Sequence, residues 1–178
     1  CFVEFNILSN FFKEVGMKKL FVLLTVALFV SLSLLSVGAF AEYATEVIDY
    51  SLPNAQSPRD NPHNALGPQD SYGNDVNFAS LGGGYIVLGF DRPITGSVTV
   101  YEITWSPNYP PEEAEVFVSK NGKSWDSIGT ADNIDMPSST ATTLFFEGVY
   151  KYVKIEDYTS NTEDGFDLDA VEAHLVSN

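Results

Sequence analysis

The sequence predicts an all-β protein, an antiparallel β-sandwich of jelly-roll type, on three observations. Short apolar or alternating segments recur between clusters of Gly, Pro, Asn and Asp, the pattern of strands and turns in sandwiches and barrels. No window carries a convincing 3.6-residue apolar period, so amphipathic helices are not expected. Lys120-Asn121-Gly122-Lys123 joins two of the segments, and Asn-Gly tolerates the positive φ angles of a tight hairpin turn.

The elements follow in order. A first strand is expected at 46–50, where Val47 and Ile48 stand between polar residues. The next stretch, Ser51 to Val76, is irregular and carries Pro53, Pro58, Pro62 and Pro68 with several Asn and Asp; a loop of that length is usually functional or disordered. A short strand at 77–80 leads to Gly82-Gly83-Gly84. These glycines precede a strand and not a helix, so they read as a turn and not as a phosphate cradle. The apolar run 85–90 and the alternating run 97–104 are two more strands. Ser106-Pro107-Asn108-Tyr109-Pro110-Pro111 follows Trp105 as an exposed, aromatic-rich rim. Strands at 115–119 and 124–129 flank the Asn-Gly turn, and further strands are expected at 142–146, 152–156 and 168–175.

The ends of the chain set its expected compartment. Met17-Lys18-Lys19, an apolar run from Leu20 to Leu35 and Ala39-Phe40-Ala41 form the charged region, apolar region and small-x-small site of a secretory signal. Residues 1–16 are expected to be an upstream extension, residues 17–41 a signal peptide cleaved after Ala41, and residues 42–178 one binding domain that is secreted or held at the cell surface. Such a domain is not inserted in the membrane after cleavage. The single cysteine, Cys1, lies in the upstream stretch, so the domain relies on its core, and on any metal, in place of disulfides. Residues 42–178 hold six Lys and Arg against 22 Asp and Glu, a net charge of −16. That field repels nucleic acid and favours divalent cations and neutral or cationic partners.

Asp164-Gly165-Phe166-Asp167-Leu168-Asp169-Ala170-Val171-Glu172 places four carboxylates among apolar residues, as in a strand that leaves a hard-cation site and enters a core. Calcium takes six to eight oxygens, and the chain offers Asn61, Asn64, Asp70 and Asp75 in the first loop with Asp164, Asp167, Asp169 and Glu172 at the end. An EF-hand is excluded. With Glu172 as the twelfth loop residue the sixth is Phe166, where a glycine is required. Lys154 is the plainer partner for these acids. Among the aromatics, Trp105, Tyr109 and Tyr72 are the candidates to stack on a sugar ring or a protein partner, while Trp125 is expected to cap the core. A hydrolase built on Asp164, Asp167 or Asp169 needs two carboxyls at a set separation. His63 and His174 give little material for a nucleophile–base pair, and no elbow motif frames a serine.

Taken together, Asn64-Ala65-Leu66-Gly67-Pro68-Gln69-Asp70, Ser80-Leu81-Gly82-Gly83-Gly84-Tyr85-Ile86-Val87-Leu88-Gly89-Phe90, Val100-Tyr101-Glu102, the run from Val116 to Trp125, Tyr152-Val153-Lys154-Ile155-Glu156-Asp157 and the terminal acidic motif resemble a family of secreted bacterial cell-surface domains. That family is often found with PEP-CTERM-type sorting tails and is similar to the discoidin and carbohydrate-binding modules of the galactose-binding-like superfamily. The resemblance implies an eight- or nine-stranded jelly roll and a structural calcium held by Asn64, Gly67 and Asp70 with Glu172, and Asp169 as a further candidate. It implies ligand contacts from loops at one end, including Trp105 to Tyr109 and Tyr72. Two departures go with it. Anchoring through a sorting tail is not expected from this sequence, and the short segment between Gly129 and Thr142 is expected to leave the walls of a ligand pocket low. The functional expectation is a non-catalytic, calcium-stabilised module that binds carbohydrate on a cell surface or in the extracellular matrix. A protein-binding or matrix scaffold domain is the alternative, and a carboxylate-based glycoside hydrolase the more remote one.

Overall fold

The computed structural model describes residues 41–71, 76–104, 109–134, 139–159 and 162–176. Eight strands run through them: β1 (Ala41–Tyr43), β2 (Glu46–Ser51), β3 (Ala79–Ser80), β4 (Tyr85–Ile103), β5 (Glu113–Ser119), β6 (Asp126–Asp132), β7 (Ser139–Asp157) and β8 (Asp167–Leu175). Every pairing between them is antiparallel. The hydrogen-bonded order is β1-β8-β4-β7-β5-β6, with β2 also on β4 and β3 on β8. Among the described residues no helix is long and apolar enough to cross a membrane.

Two long strands make the sandwich. The runs expected at 85–90 and 97–104 are one strand, β4, and those at 142–146 and 152–156 are one strand, β7. Each bends. The β4–β7 register breaks between Gly89 and Ile94, around Asp91-Arg92-Pro93, and again near Gly96. Gly96 (φ 82°) and Gly148 (φ 101°) take the positive φ angles that the corner requires. The first half of β4 lies in a front layer between β2 and the second half of β7, which continues to β5 and β6. The second half of β4 lies in a back layer between β8 and the first half of β7. Strand ends near Tyr85, Ile103, Glu113, Asp157 and Asp167 therefore collect at one end of the molecule.

Alternation along each strand selects the core. Ile86, Leu88, Val116, Val118, Val153 and Ile155 face in from the front layer and Val98, Val100, Val171 and Ala173 from the back, all buried. A buried side chain of this size is worth ~1.5–3 kcal/mol, and this core stabilises the chain without a disulfide. Along β8 the expected face of Val171, Ala173 and Leu175 is buried, Glu172 is half-buried and His174 is exposed.

Three local expectations change. β1 is a strand that the sequence pattern did not mark; among the described residues it covers Ala41–Tyr43 and pairs with β8. A short 3₁₀ turn, Pro62–Ala65, interrupts the irregular stretch after β2, with Asn61 as its cap. The Asn-Gly connection is wider than a two-residue hairpin, because β5 ends at Ser119 and β6 starts at Asp126. Asn121 Oδ1 accepts from the amides of Lys123 (2.8 Å) and Ser124 (3.0 Å), and Ser119 Oγ accepts from Asn121 (3.2 Å) and Gly122 (2.9 Å). Side chains close this turn, with Gly122 at φ 70°.

Candidate functional site

The end where the strand termini collect carries most of the buried polar groups. Val98 and Val100 face the core, and Glu102 follows in the same phase, 1 % exposed. Its carboxylate accepts from Thr104 Oγ1 (2.8 Å) and Asn133 Nδ2 (3.5 Å). Glu112, fully buried ahead of β5, accepts from Thr162 Oγ1 (2.8 Å) and Asn133 Nδ2 (3.4 Å), and its amide donates to Asn133 Oδ1 (2.9 Å). Asn133 thus ties the ends of β4, β5 and β6, and Thr162 adds the segment before β8. Burial pushes the Glu112 carboxyl up to about 10, and the nearby Asp167 carboxylate pushes the same way.

Asp167 opens β8. It accepts from Ser80 Oγ (2.5 Å) and stands 3.9 Å from Arg59. Burial raises its carboxyl to about 8, with Ser80 and Arg59 opposing. Arg59 makes its closer ion pair with Asp164, at 2.6 Å, and its guanidinium lies 5.7 Å from the Phe78 ring centroid. Asp164 also accepts from the Tyr109 hydroxyl (3.3 Å), whose pKa burial and Asp164 together push up to about 12. Asp157, at the end of β7, accepts from the amides of Gly83 (2.8 Å), Phe166 (3.0 Å) and Thr159 (2.8 Å). It locks the β3–β4 turn against the segment that enters β8.

Above this network is a cleft of about 350 Å³ lined by Gln56, Arg59, Tyr109, Pro110, Thr162, Glu163 and Asp164. It joins an aromatic ring to an ion pair whose members keep spare donors and acceptors. Tyr109 is the predicted ligand residue that the structure places in a cleft; Trp105 and Tyr72 lie outside the described residues. Lys154 does not partner the terminal acids. It pairs with Glu156 and lies over the Phe117 ring, 4.2 Å from its centroid. Trp125, expected to cap the core, instead lines the outer face of the front layer.

The predicted metal ligands fall into three places. Asn64 and Asp70 line one cleft of about 420 Å³ with Pro58, Asn61, Val76 and Asn77. There the Asn64 amide donates to Phe78 O (3.1 Å), and Asp70 accepts from Asn77 (2.6 Å). Asp169 is joined to that segment, because the backbone amides of Asp70 and Ser71 donate to its carboxylate. A bulge between Tyr101 and Glu102 leaves Asp169 between the pairs formed by Leu168 and Ala170, the device by which a strand re-aims one side chain. By geometry Asp169 Oδ2 and Ser71 Oγ are buried with no hydrogen-bond partner among the described residues; burial raises the Asp169 carboxyl to about 6, with the nearby Ser71 hydroxyl and the amides of Asp70 and Ser71 opposing. Gly67 (φ 84°) donates its amide to Ala44 O at 3.0 Å. Glu172 lies on the other side of β8, opposite Tyr43 and Thr99, and accepts from the Tyr101 hydroxyl (2.7 Å). Among the described residues no three His, Cys, Asp or Glu converge on one point. The unpartnered oxygens of Asp169 and Ser71 are a carboxylate and a hydroxyl oxygen, donors of the type a hard cation takes.

The sequence reading missed Glu112, Asn133 and Arg59. Glu102 had a signal, its phase with Val98 and Val100. Glu112 had none, since loops and not strand alternation bury it.

No protein-family model matches the chain, and no curated protein sequence does. Solved structures do. A fucose-binding module from Streptococcus pneumoniae superposes with a TM-score of 0.53 at 16 % identity, over 79 % of this chain and 99 % of that one. The family 32 carbohydrate-binding module of EndoD from the same organism gives 0.52 at 11 % identity, over 74 % and 95 %. The C-terminal domain of a chitobiase from Bacteroides fragilis gives 0.51 at 14 % identity, over 75 % and 95 %. The fold is the antiparallel β-sandwich of these three domains.

Proposed function

We propose that the chain is a secreted, non-catalytic carbohydrate-binding module that takes its ligand in the cleft at the loop end. The observation that carries this is Tyr109 beside the Arg59–Asp164 ion pair, above a buried network that fixes the surrounding loops. A pyranose presents an apolar C–H face and a rim of hydroxyls, and a half-buried ring next to paired charges suits both. The neighbours described as fucose-binding and family 32 modules support the ligand class. The rival catalytic carboxylates are engaged: Asp164 with Arg59, Asp167 with Ser80, Asp169 with Ser71.

Calcium is the proposed structural ion, with Asp169 and Asp70 at its centre and Asn64 and the Gly67 segment around them. It would fix the loop after β2 and supply charge balance for the orphaned Asp169 oxygen, without touching the sugar. Secretion through residues 17–41, with cleavage after Ala41, places the module at a cell surface or in an extracellular matrix. A scaffold role has one observation in its favour. Phe145 is 77 % exposed and Val149 47 % on β7, which suits a protein partner. A glycan array followed by calorimetry on the best ligand tests the main reading. Binding that Tyr109→Ala weakens about tenfold supports it; no glycan bound in calcium, with a protein partner lost on Phe145→Ser, would transfer the assignment to the scaffold.

A further inference from the structure

The outer face of the front layer holds a second groove, whose lining shares no residue with the loop-end cleft. Outward positions of a solvated antiparallel sheet are ordinarily polar. Here Val87 faces outward yet is only 4 % exposed, because Ile48 and Asp49 rise on one side and Trp125 on the other. Between them is a cavity of about 270 Å³, enough for one small ring. Register puts Lys154 directly between Val87 and Phe117. Its ammonium lies 4.2 Å from the Phe117 ring centroid and 5.6 Å from that of Trp125, and is paired with Glu156. On the opposite wall the Tyr85 hydroxyl donates to Asp49 Oδ2 at 2.9 Å.

These groups are held before any ligand arrives. The lysine head is fixed by a carboxylate and two rings, and the Asp49 carboxylate by a phenol. Each carboxylate keeps free lone pairs and the ammonium keeps donors. The groove thus offers an apolar floor, an indole wall, two acceptors and one donor. The charges of Asp49, Glu156 and Lys154 sum to −1, on a chain of net charge −15, so an anionic ligand is disfavoured. A cationic amine would be repelled by the Lys154 ammonium already held in the groove.

We propose that this sheet-face groove is a second carbohydrate site, taking one neutral pyranose with its C–H face on Trp125 and its hydroxyls on Asp49, Lys154 and Glu156. It does not depend on the loop-end cleft. Two weak sites on one module, one at the end and one on the side, would let a single domain bridge two glycan chains.

The test is an NMR titration of the ¹⁵N-labelled protein with methyl β-galactopyranoside and methyl β-glucopyranoside, and with galacturonate as the anionic control. Shifts of the Gly122 amide and the Trp125 indole that persist in Tyr109→Ala support the groove. So does about tenfold weaker binding there in Trp125→Ala. Asp49→Asn removes an acceptor from an exposed position, leaves the core untouched and is expected to weaken the same shifts several-fold. It therefore decides the matter even if the tryptophan variant fails to fold. Loop-end shifts with no movement at Gly122 and Trp125 would overturn the groove and leave the loop-end reading standing. Groove shifts alone would do the reverse. Equal response to galacturonate would also overturn the proposal, since the charge of the groove forbids it.

Discussion

Glu112→Gln probes the buried network through its proton. Glu112 is fully buried, its nearest partners are Thr162 and Asn133, and its carboxyl is raised from an ordinary 4.5 to about 10. In the folded protein it is therefore neutral at pH 7, whereas in the unfolded chain it is ionised. A raised folded pKa means that the native state binds the extra proton. Stability is fully present below the unfolded value and is lost as pH rises toward the folded value. The loss is about 1.4 kcal/mol per pH unit for one proton, or about 4 kcal/mol between pH 5 and pH 8. That is a large part of an ordinary domain stability of about 5–15 kcal/mol.

Glutamine keeps the volume and one acceptor but has no proton to lose. The acceptor can still serve Thr162, while the new NH₂ group meets the Asn133 amide, now 3.4 Å from a glutamate oxygen. Loss of that long contact costs about 1 kcal/mol. The variant is thus expected to be slightly less stable than the parent at pH 5 and about 3–4 kcal/mol more stable at pH 8, with the curves crossing near pH 5–6. Asp167 titrates in both proteins, so the difference between them reports Glu112 together with its coupling to Asp167. Urea unfolding at fixed ionic strength, extrapolated to water at each pH, measures it. A difference that stays constant from pH 5 to pH 8 would show that Glu112 is ionised in the native state and would refute the reasoning.

Other perturbations follow from the same geometry. Calcium over chelator is expected to stabilise the protein by ~3–4 kcal/mol at a hundred- to thousandfold excess over its dissociation constant, with the gain lost in Asp169→Asn in a thermal melt. Because the Asp169 carboxyl is raised to about 6, protons compete with the ion, and the calcium response should fade as pH drops through that value. Gly84→Ala puts a methyl group 1.8 Å from Ser51 O and 2.6 Å from Pro53 Cδ; chemical denaturation should show a loss of ~3 kcal/mol. Asp157→Ala strips the acceptor from the amides of Gly83, Thr159 and Phe166, and a loss of ~2–4 kcal/mol is expected in the same assay.

Strand positions were legible because alternation is a local property. The runs at 97–104 in β4, 152–156 in β7 and 171–175 in β8 show it, while β2, β5 and the other halves of β4 and β7 are legible as short apolar runs between turn residues; each forms where the pattern places it. The joins were not legible. Asp91-Arg92-Pro93 reads as a break between strands, yet the chain stays extended through it and resumes pairing with β7 at Ile94. β1 has three residues and one neighbour, too little for a periodic signal. Asn121 was read as a residue suited to positive φ, but it closes a wider turn with its side-chain oxygen. At the site, Glu102 was readable from its phase, whereas Glu112 depends on Asn133 and Thr162, far away in sequence.

The terminal acidic motif shows how strand geometry divides neighbouring charges. Asp167 and Asp169 are two residues apart, and simple alternation would give them one environment. The bulge at Asp169 separates them: Asp167 goes to Ser80 and Arg59, Asp169 to the Ser71 segment. Three residues on, Glu172 turns to Tyr101 on the outside of the back layer. Each carboxylate thereby ties a different piece of loop or strand to β8. Burying such groups costs stability, and in this fold the cost falls at the end where the loops after β2, β4, β6 and β7 meet. Those connections place Arg59, Tyr109, Thr162 and Asp164 around the cleft. A cleft whose walls are already ordered loses less freedom when a ligand binds, so under the proposed function the buried acids would act on binding by holding the loops and not by touching the sugar.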